Sequence, residues 1–563
     1  MTPPTTPSHP VAPTLLAGLL VTGALAVVLA GVPSPLFDLD RHAVPKELAL
    51  HLVGLLALPI LAWSVPRVRL ALPEYLLMAW LGWSAMSVAF AENYWLAWRA
   101  LGVSVSGAIV FWMARRASQG GRGDAILAGL SAAAVLAAAT GVAQAHGIEF
   151  ALLAESRAPG GTLGNRNFLA HLSVITLPVL VFLTLRARNG LAAALGLAGL
   201  AILVGLVVLT RSRAAWLGGL AGLAMLGLGA IAARGAEGWC LPRGRRTKVA
   251  VALLAGAVAA LVVPNQLEWR SESPYRDTLG ALVDFQDGSG RGRLIQYRNT
   301  LGLVRLSPIF GTGPGNWAVE YPLVTTPGDP SFAGAAPIPT NPWPSSDWIA
   351  ILAERGPVGV GILLLCGLTM AVMALRRLRH DDPRMAHRAA TLLAVLAATF
   401  LCGAFDAVLL LAPPTLFFWA ACGVLMPDSG PVLERPLSRR ASQLLLPLAV
   451  GLSTTFAGRS GAQLAAIVTA GEGRVIADVR RASRIDPGNF RLQLIQAGRL
   501  RCEQARVHAR MALSLFPHHP SAKRAQARCG RGQMAWGRPG PTLGVSAEMA
   551  AAITTVDVSN IIS

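Results

Sequence analysis

The segment GLAAALGLAGLAILVGLVVLTRSRAAWLGGLAGLAMLGLGAIA, residues 190–232, contains two long apolar runs separated by a short basic turn. A helix of about 20 apolar residues crosses the hydrocarbon core of a bilayer. Within that core its backbone polar groups must be satisfied inside the segment. The pattern therefore predicts a helical hairpin through a membrane, with Arg211 and Arg213 at the turn.

Apolar runs of this kind recur along the whole chain. Of the 563 residues, 53% are hydrophobic and only 14% are charged, which excludes an ordinary water-soluble protein of this size. We predict about thirteen spans, at 13–31, 48–64, 72–90, 100–114, 125–145, 167–185, 191–210, 214–233, 249–263, 348–374, 390–411, 414–427 and 443–457. The predicted fold class is an all-α polytopic membrane protein with about 12–13 transmembrane helices.

The formal net charge of +20 follows from the predicted topology. Basic residues concentrate in the loops that lie on one side of the membrane, at 67–69, 115–122, 186–188, 234–248 and 376–388. Short basic loops face the cytoplasm, which places residues 264–347 on the outer side. Because these cations fix orientation, we predict a lipid bilayer as partner and no nucleic acid.

This topology divides the chain into a cytoplasmic N-terminus (1–12), a transmembrane domain (13–457) with a periplasmic loop (264–347), a periplasmic tail (458–529) and a flexible C-terminus (530–563). The tail alternates apolar and basic positions with helical spacing, and its Pro-bearing turns IDPGN and FPHHP are about 30 residues apart. It resembles one and a half tetratricopeptide-like units, which suggests a protein partner. Cys502 and Cys529 could form a disulfide there.

Four separate segments bring polar groups to the predicted outer side. They are residues 155–171, 209–216, 288–317 and 340–359. Polar groups at membrane depth are costly, so each invites a functional interpretation. The candidate residues are Arg166, Asn167, His171, Arg211, Arg213, Arg291, Arg293, Arg298, Asp347 and Glu354, together with Asp406 inside the eleventh span.

The runs GTLGNRNFLA, LTRSRAAWLGG, RLIQYRNTLGLVRLSPIFGTGPGNW and SSDWIAILAERGPVG, in this order, resemble the O-antigen ligase and polymerase superfamily. The resemblance covers roughly residues 70–425. It implies a bacterial inner-membrane glycosyltransferase with a GT-C-like helical bundle and a large periplasmic loop. The donor it implies is an undecaprenyl diphosphate-linked glycan, and the acceptor is lipid A core, another glycan or a protein hydroxyl.

Arg213 and Arg293 match the arginines that are essential in the family. Guanidinium groups pair with phosphate oxygens and would stabilise the charge that develops on a departing diphosphate. Diphosphate is already a good leaving group, so we expect no metal and no cofactor. Arg211, Arg166, Asn167, Arg291 and Arg298 are predicted to help bind the substrate. Arg291, Arg298 and Arg305 repeat every seven residues and share one helix face, so they could instead reach lipid headgroups or pair with acidic residues.

The sequence departs from the family at the position of its histidine. Ligases usually have a His-Asn or His-Ser pair where this chain has Ser345-Ser346, and residues 172–379 contain no histidine. That histidine is thought to activate the acceptor hydroxyl. Asp347 is the nearest carboxylate and is the predicted base; His171 is the alternative, unless it is only a packing histidine. Glu354 and Asp406 are expected to orient neighbouring groups.

Two further interpretations remain open. Polymerase or protein O-oligosaccharyltransferase activity would use the same donor chemistry as a ligase. A flippase or transporter for anionic lipids belongs to a different class and should show related halves and charges through the bilayer midplane. The sequence shows neither, which favours the transferase. The isolated Asp38-Leu39-Asp40 motif is a DxD pattern, which arises often by chance and predicts no metal site by itself.

Overall fold

The computed structural model describes residues 11–37, 39–64, 69–148, 158–232, 243–269, 271–280, 288–326, 329, 331, 342–379, 382–427, 435–436 and 439–530. These residues form the helices α1 (Ala12–Leu29), α2 (Asp40–Ser64), α3 (Leu72–Ser87), α4 (Tyr94–Ala117), α5 (Gly123–Ala145), α6 (Arg166–Leu185), α7 (Gly190–Thr210), α8 (Arg213–Ala232), α9 (Arg243–Val262), α10 (Pro274–Gly280), α11 (Gly288–Leu306), α12 (Trp317–Glu320), α13 (Asp347–Arg377), α14 (Pro383–Phe405), α15 (Ala412–Leu425), α16 (Arg439–Ala470), α17 (Ile476–Ile485), α18 (Phe490–Arg499), α19 (Cys502–Leu515) and α20 (Pro520–Gly530). Two short strands, β1 (Arg69–Leu70) and β2 (Arg435–Pro436), pair antiparallel.

The prediction of an all-α polytopic membrane protein is confirmed. Within the described residues, eight helical segments are long and apolar enough to cross a membrane: α1, α2, α4 together with α5, α6, α7, α8, α13 and α14. Nine of the thirteen predicted spans lie in these segments. The predicted spans at 72–90, 249–263, 414–427 and 443–457 also coincide with helices, namely α3, α9, α15 and α16, which fall outside that set.

Side-chain caps fix where several of the membrane helices begin. The Oδ1 atom of Asn165 accepts from the backbone N–H of Asn167 (2.9 Å), and Ser346 Oγ accepts from the N–H of Ile349 (3.4 Å). Such caps satisfy donors that the first turn leaves free, which matters near a bilayer. They set the starts of α6 and α13, which carry candidate residues in their first turns.

Small residues let α8 and α14 pack closely along their length. A Cβ added at Gly218 would lie 2.5 Å from Cys402 Sγ, and one at Gly229 would lie 2.6 Å from the Cβ of Ala390. Small residues at such interfaces allow close backbone approach in membranes. Antiparallel packing of these helices brings Arg213, at the start of α8, to the end of α14, where Asp406 follows. We call this end of the bundle the Asp406 end.

The turn GTGPGN, residues 311–316, folds onto a break in α13. Gly356 has φ 69° and precedes Pro357, so nearby carbonyls lose their helical donors. The N–H groups of Thr312 and Gly313 donate to Ala353 O (2.9 Å) and Glu354 O (3.0 Å) instead. The turn itself has positive φ at Gly311, Gly313 and Gly315, which glycine adopts at little steric cost.

The helical tail is fastened to the membrane domain. Helix α16 runs through the predicted boundary at residues 457 and 458, so the last predicted span and the start of the tail form one helix. Its buried Ile467 packs in a cluster with Leu36 and Phe37, which precede α2. Asn93 Nδ2 donates to Leu515 O (2.9 Å) at the end of α19. Cys502 is disulfide-bonded.

Candidate functional site

Asp406 is the centre of a buried polar cluster. It follows α14, and its Oδ2 accepts from Asn167 Nδ2 (2.9 Å) while Oδ1 accepts from the N–H of Ala407 (2.8 Å). The Nε2 atom of His171, one turn further along α6, lies 3.9 Å from the same Oδ2. The His171 side chain is fully buried, whereas that of Asp406 keeps 13% of its surface exposed. Three of the predicted residues are thus brought together.

Helix α11 lies across the start of α13 and the end of α14, which are neighbours at the Asp406 end. The hydroxyl of Tyr297 donates to Ser345 O (2.5 Å) and is 3.0 Å from Ala404 O. Gln296 Oε1 accepts from the N–H of Ser345 (2.8 Å). Burial raises the pKa of Tyr297 to about 12, so its phenol remains a neutral donor. These contacts hold α11 at a fixed place beside Asp406.

Arg293 lies one turn before Tyr297 on α11 and faces the Asp406 cluster. Its half-buried guanidinium is within electrostatic range of both His171 and Tyr297. It makes no hydrogen bond or ion pair with any residue that the structure describes. Half-buried cations usually gain such a partner, so this arrangement leaves its donors available to an anion.

Arg213 begins α8 at the same end of the bundle and is half-buried. The carbonyl of the next residue, Ala214, accepts from Cys402 Sγ (3.5 Å). Cys402 O in turn accepts from the N–H of Asp406 (2.9 Å). The backbone at Arg213 therefore lies beside the last turn of α14, as the hairpin predicted from the sequence requires.

Arg211 and Arg166 form a second basic group around Trp269. Their Cζ atoms lie 4.6 Å and 4.9 Å from the centroid of the indole ring. Arg211 Nε also donates to Thr278 Oγ1 (2.8 Å). Arg211 has φ 53°, the one positive φ at a non-glycine residue in the described chain. Such strain costs about 1–3 kcal/mol and persists where surrounding structure enforces it.

Asp347, the predicted base, is fully buried at the start of α13. Its Oδ1 and Oδ2 accept from the backbone N–H groups of Val408 and Leu409, both at 2.9 Å. Gly403 leaves room for it, since an added Cβ would lie 2.8 Å from Oδ2. Both carboxylate oxygens therefore hold the segment after Asp406, and the role of Asp347 as base stays a prediction.

Glu354 also anchors backbone. Its Oε1 accepts from the N–H of Trp317 (3.4 Å), and its Oε2 lies 3.8 Å from Arg355 Nη1. Its side chain thus joins α13 to the turn before Trp317, so it orients the outer loop. This geometry favours the orienting role over direct contact with substrate.

Arg291 and Arg298 are exposed and lie apart from the Asp406 cluster. They share the exposed side of α11 with Arg305, Leu294 and Leu301. A face of mixed arginine and leucine suits a lipid headgroup region. In the DxD motif, Asp38 lies outside the described residues, and Asp40 pairs with Arg99 (2.9 Å).

Tyr297, Gln296 and Trp269 are site residues that the sequence interpretation missed. Tyr297 follows Arg293 by four residues, so the two share a helix face, and that spacing was a usable signal. Trp269 gave no signal, because the sequence does not show that the segment after α9 returns to α7.

Comparison with known proteins supports the resemblance. No curated protein matches the chain. Residues 197–364 match the family model described as O-antigen ligase, a family associated with ligase- or polymerase-type glycan transfer. The matched range includes Arg211, Arg213, Arg293, Asp347 and Glu354. Over this segment the chain is similar to the O-antigen ligase family.

Proposed function

We propose that this protein transfers a glycan from an undecaprenyl diphosphate-linked donor to an acceptor hydroxyl at the Asp406 end of the bundle. The observation that carries the proposal is Arg293, a half-buried cation without a partner among the described residues, held beside Asp406 and His171. The proposed diphosphate supplies the hydrogen-bond acceptors that Arg293 does not find among the described residues.

Arg293 and Arg213 bind the diphosphate of the donor. The acceptor oxygen attacks the anomeric carbon, and the bond from that carbon to the phosphate oxygen breaks with its electron pair leaving on the diphosphate. Each charge-assisted hydrogen bond to that group contributes about 1.5–3 kcal/mol. The guanidinium groups thereby stabilise the leaving group as its charge grows. Attack from the opposite side inverts the configuration of the sugar.

Asp406 takes the proton from the acceptor hydroxyl. Of the two carboxylates at this end, Asp406 retains exposed surface, while both oxygens of Asp347 accept backbone hydrogen bonds. The Asn167 amide holds the Asp406 carboxylate in place through a hydrogen bond, and His171 Nε2 lies 3.9 Å from the same oxygen. General-base help of this kind contributes about 10²–10⁴ in rate. Asp406 would thus serve where relatives of this superfamily use a histidine.

The Asp406 end would face the periplasm of a bacterial inner membrane. Basic loops are concentrated on the opposite side of the predicted topology, and the disulfide-bonded Cys502 in the tail fits an oxidising compartment. The acceptor is a hydroxyl on lipid A core, on another glycan or on a protein, the three classes that the family implies.

The test is glycan transfer by the full chain in lipid nanodiscs, with a labelled undecaprenyl diphosphate-linked glycan. Arg293→Ala should lower the rate by about 10²–10³. Arg305→Ala is the matched control, because it removes an exposed arginine from the same helix. Equal activity of the two variants would refute the role of Arg293.

A further inference from the structure

Trp269 holds two guanidinium groups that come from different segments. Arg211 and Arg166 each place Cζ within 5 Å of its ring centroid, at 4.6 Å and 4.9 Å. The ring attracts each cation, but two like charges this close repel each other. Asp277 is within electrostatic range of Arg211, yet its carboxylate accepts from two serine hydroxyls. An anionic ligand at Arg211 would offset part of this repulsion.

Arg211 retains hydrogen-bonding capacity for such a ligand. Its Nε donates to Thr278, and its Nη1 and Nη2 make no hydrogen bond to any described residue. Glycine would adopt its φ of 53° without steric cost, so the backbone alone gives no reason for an arginine here. Strain at a non-glycine residue often accompanies functional sites. What Arg211 adds at this position is therefore its guanidinium group, which can bind a ligand.

The surroundings of Trp269 are those of a membrane surface. The residue follows the end of α9 by seven positions, after Gln266 N donates to Ala145 O (2.8 Å) at the end of α5. The last turns of α9 expose Val258, Leu261 and Val262. Tryptophan and arginine are frequent where spans reach the headgroup region. A basic site beside an exposed apolar helix matches a lipid with an anionic head and a long apolar chain.

We propose that Arg211, Arg166 and Trp269 bind the diphosphate headgroup of an isoprenoid lipid, whose chain lies along α9. The lipid's identity rests on the proposed function. Asn167, which contacts Asp406, is the next residue after Arg166, so the headgroup passes from this site to the Asp406 cluster. The donor therefore arrives laterally from the bilayer between α6, α7 and α9. This site governs donor capture, while Arg293 governs transfer.

The full chain in nanodiscs is incubated with undecaprenyl diphosphate and, separately, with phosphatidylglycerol, and retained lipid is counted by native mass spectrometry. Arg211→Gly removes the cation and relieves the strain, so its unfolding temperature should equal or exceed that of the wild type. Retention of undecaprenyl diphosphate should fall about tenfold, with phosphatidylglycerol unchanged. Trp269→Leu should behave like Arg211→Gly, and Arg305→Ala should behave like the wild type.

In the transfer assay, Arg211→Gly should raise KM for the donor about tenfold and leave kcat within about twofold. Unchanged retention of undecaprenyl diphosphate, or an equal loss of both lipids, would overturn the proposal, since the site would then be absent or an ordinary headgroup anchor. A fall in kcat at constant KM would also overturn it. Lipid retention is measured without turnover. A wild-type chain that retains the lipid through Arg211 but transfers nothing would contradict only the proposed function.

Discussion

Replacing Asp347 and Asp406 one at a time distinguishes a carboxylate that stabilises the fold from one that takes part in the reaction. Asp347→Asn and Asp406→Asn are nearly isosteric changes at positions that are adjacent in space. Asp347 accepts two backbone hydrogen bonds at 2.9 Å with no exposed surface. Asp406 accepts from the Asn167 amide and the Ala407 N–H and keeps 13% of its side chain exposed. We expect opposite phenotypes.

The magnitude for Asp347→Asn follows from its contacts. An asparagine retains one acceptor oxygen, so one charge-assisted hydrogen bond is lost, which costs about 1.5–3 kcal/mol. Its amide nitrogen then faces a backbone N–H, and two buried donors without acceptors add about 1–3 kcal/mol. The free energy of unfolding should therefore fall by about 2.5–6 kcal/mol in total. Asp406→Asn should change it by less than about 1 kcal/mol, because the exposed edge can recruit water.

Thermal unfolding in nanodiscs and donor turnover are measured on the same preparations. Asp347→Asn should unfold at a temperature lower by about 5 °C, with kcat near the wild-type value below that temperature. Asp406→Asn should unfold normally and lose about 10²–10⁴ in kcat. An Asp347→Asn protein with unchanged stability and a similar loss of kcat would show that Asp347 is the base after all.

Three other changes test the frame around the site. Because burial raises the pKa of Tyr297 to about 12, its contribution to stability is full below about pH 10 and is lost as the pH rises towards 12; Tyr297→Phe should flatten unfolding temperature against pH over that range. Asn93→Asp keeps the cap of α4 but removes the hydrogen-bond donor to Leu515 O. Amide hydrogen exchange in α19 and α20 should therefore accelerate while α4 stays protected. Unchanged exchange in α19 and α20 would contradict this docking contact. Gly356→Ala would place a Cβ 1.9 Å from Ile309 O at φ 69°, so folded protein should be recovered poorly by size-exclusion chromatography, whereas Gly361→Ala, which meets nothing within 4 Å, should be recovered normally.

The helices that carry the site could be predicted from the sequence because the thickness of the bilayer sets the length of each apolar run. A bilayer of fixed thickness demands long apolar runs, and these are visible in residues 190–232 without any tertiary information. The turn between α7 and α8 then fixes the backbone of Arg213 at one end of the bundle. The glycines of residues 311–316 were equally readable, since positive φ is cheap only for glycine.

The burial and the hydrogen-bond partners of each candidate side chain could not be predicted in the same way. A spacing of seven shows that Arg291, Arg298 and Arg305 share a face of α11, but it does not show whether that face is buried. The structure exposes them and turns Arg293 with Tyr297 towards α13 and α14. The choice between Asp347 and Asp406 depends on which backbone N–H groups each carboxylate meets. Those groups lie about 60 residues away in sequence from Asp347.

The surroundings of Arg293 have a consequence for stability that distinguishes a binding site from a structural one. Arg293 is half-buried and has no counter-ion among the described residues, so Arg293→Ala should leave the ligand-free protein as stable as the wild type or slightly more stable. A bound anionic ligand should compensate the charge of Arg293, so the stabilising effect of this residue should appear only when the ligand is present. At a hundredfold excess over Kd, undecaprenyl diphosphate stabilises a folded protein by about 2.7 kcal/mol. We expect a matching rise in unfolding temperature for the wild type and for Arg305→Ala, and a smaller rise in Arg293→Ala, where only the Arg211 site still holds the headgroup. If the ligand-free Arg293→Ala protein is itself clearly destabilised, Arg293 makes a structural contact and the diphosphate is not its partner.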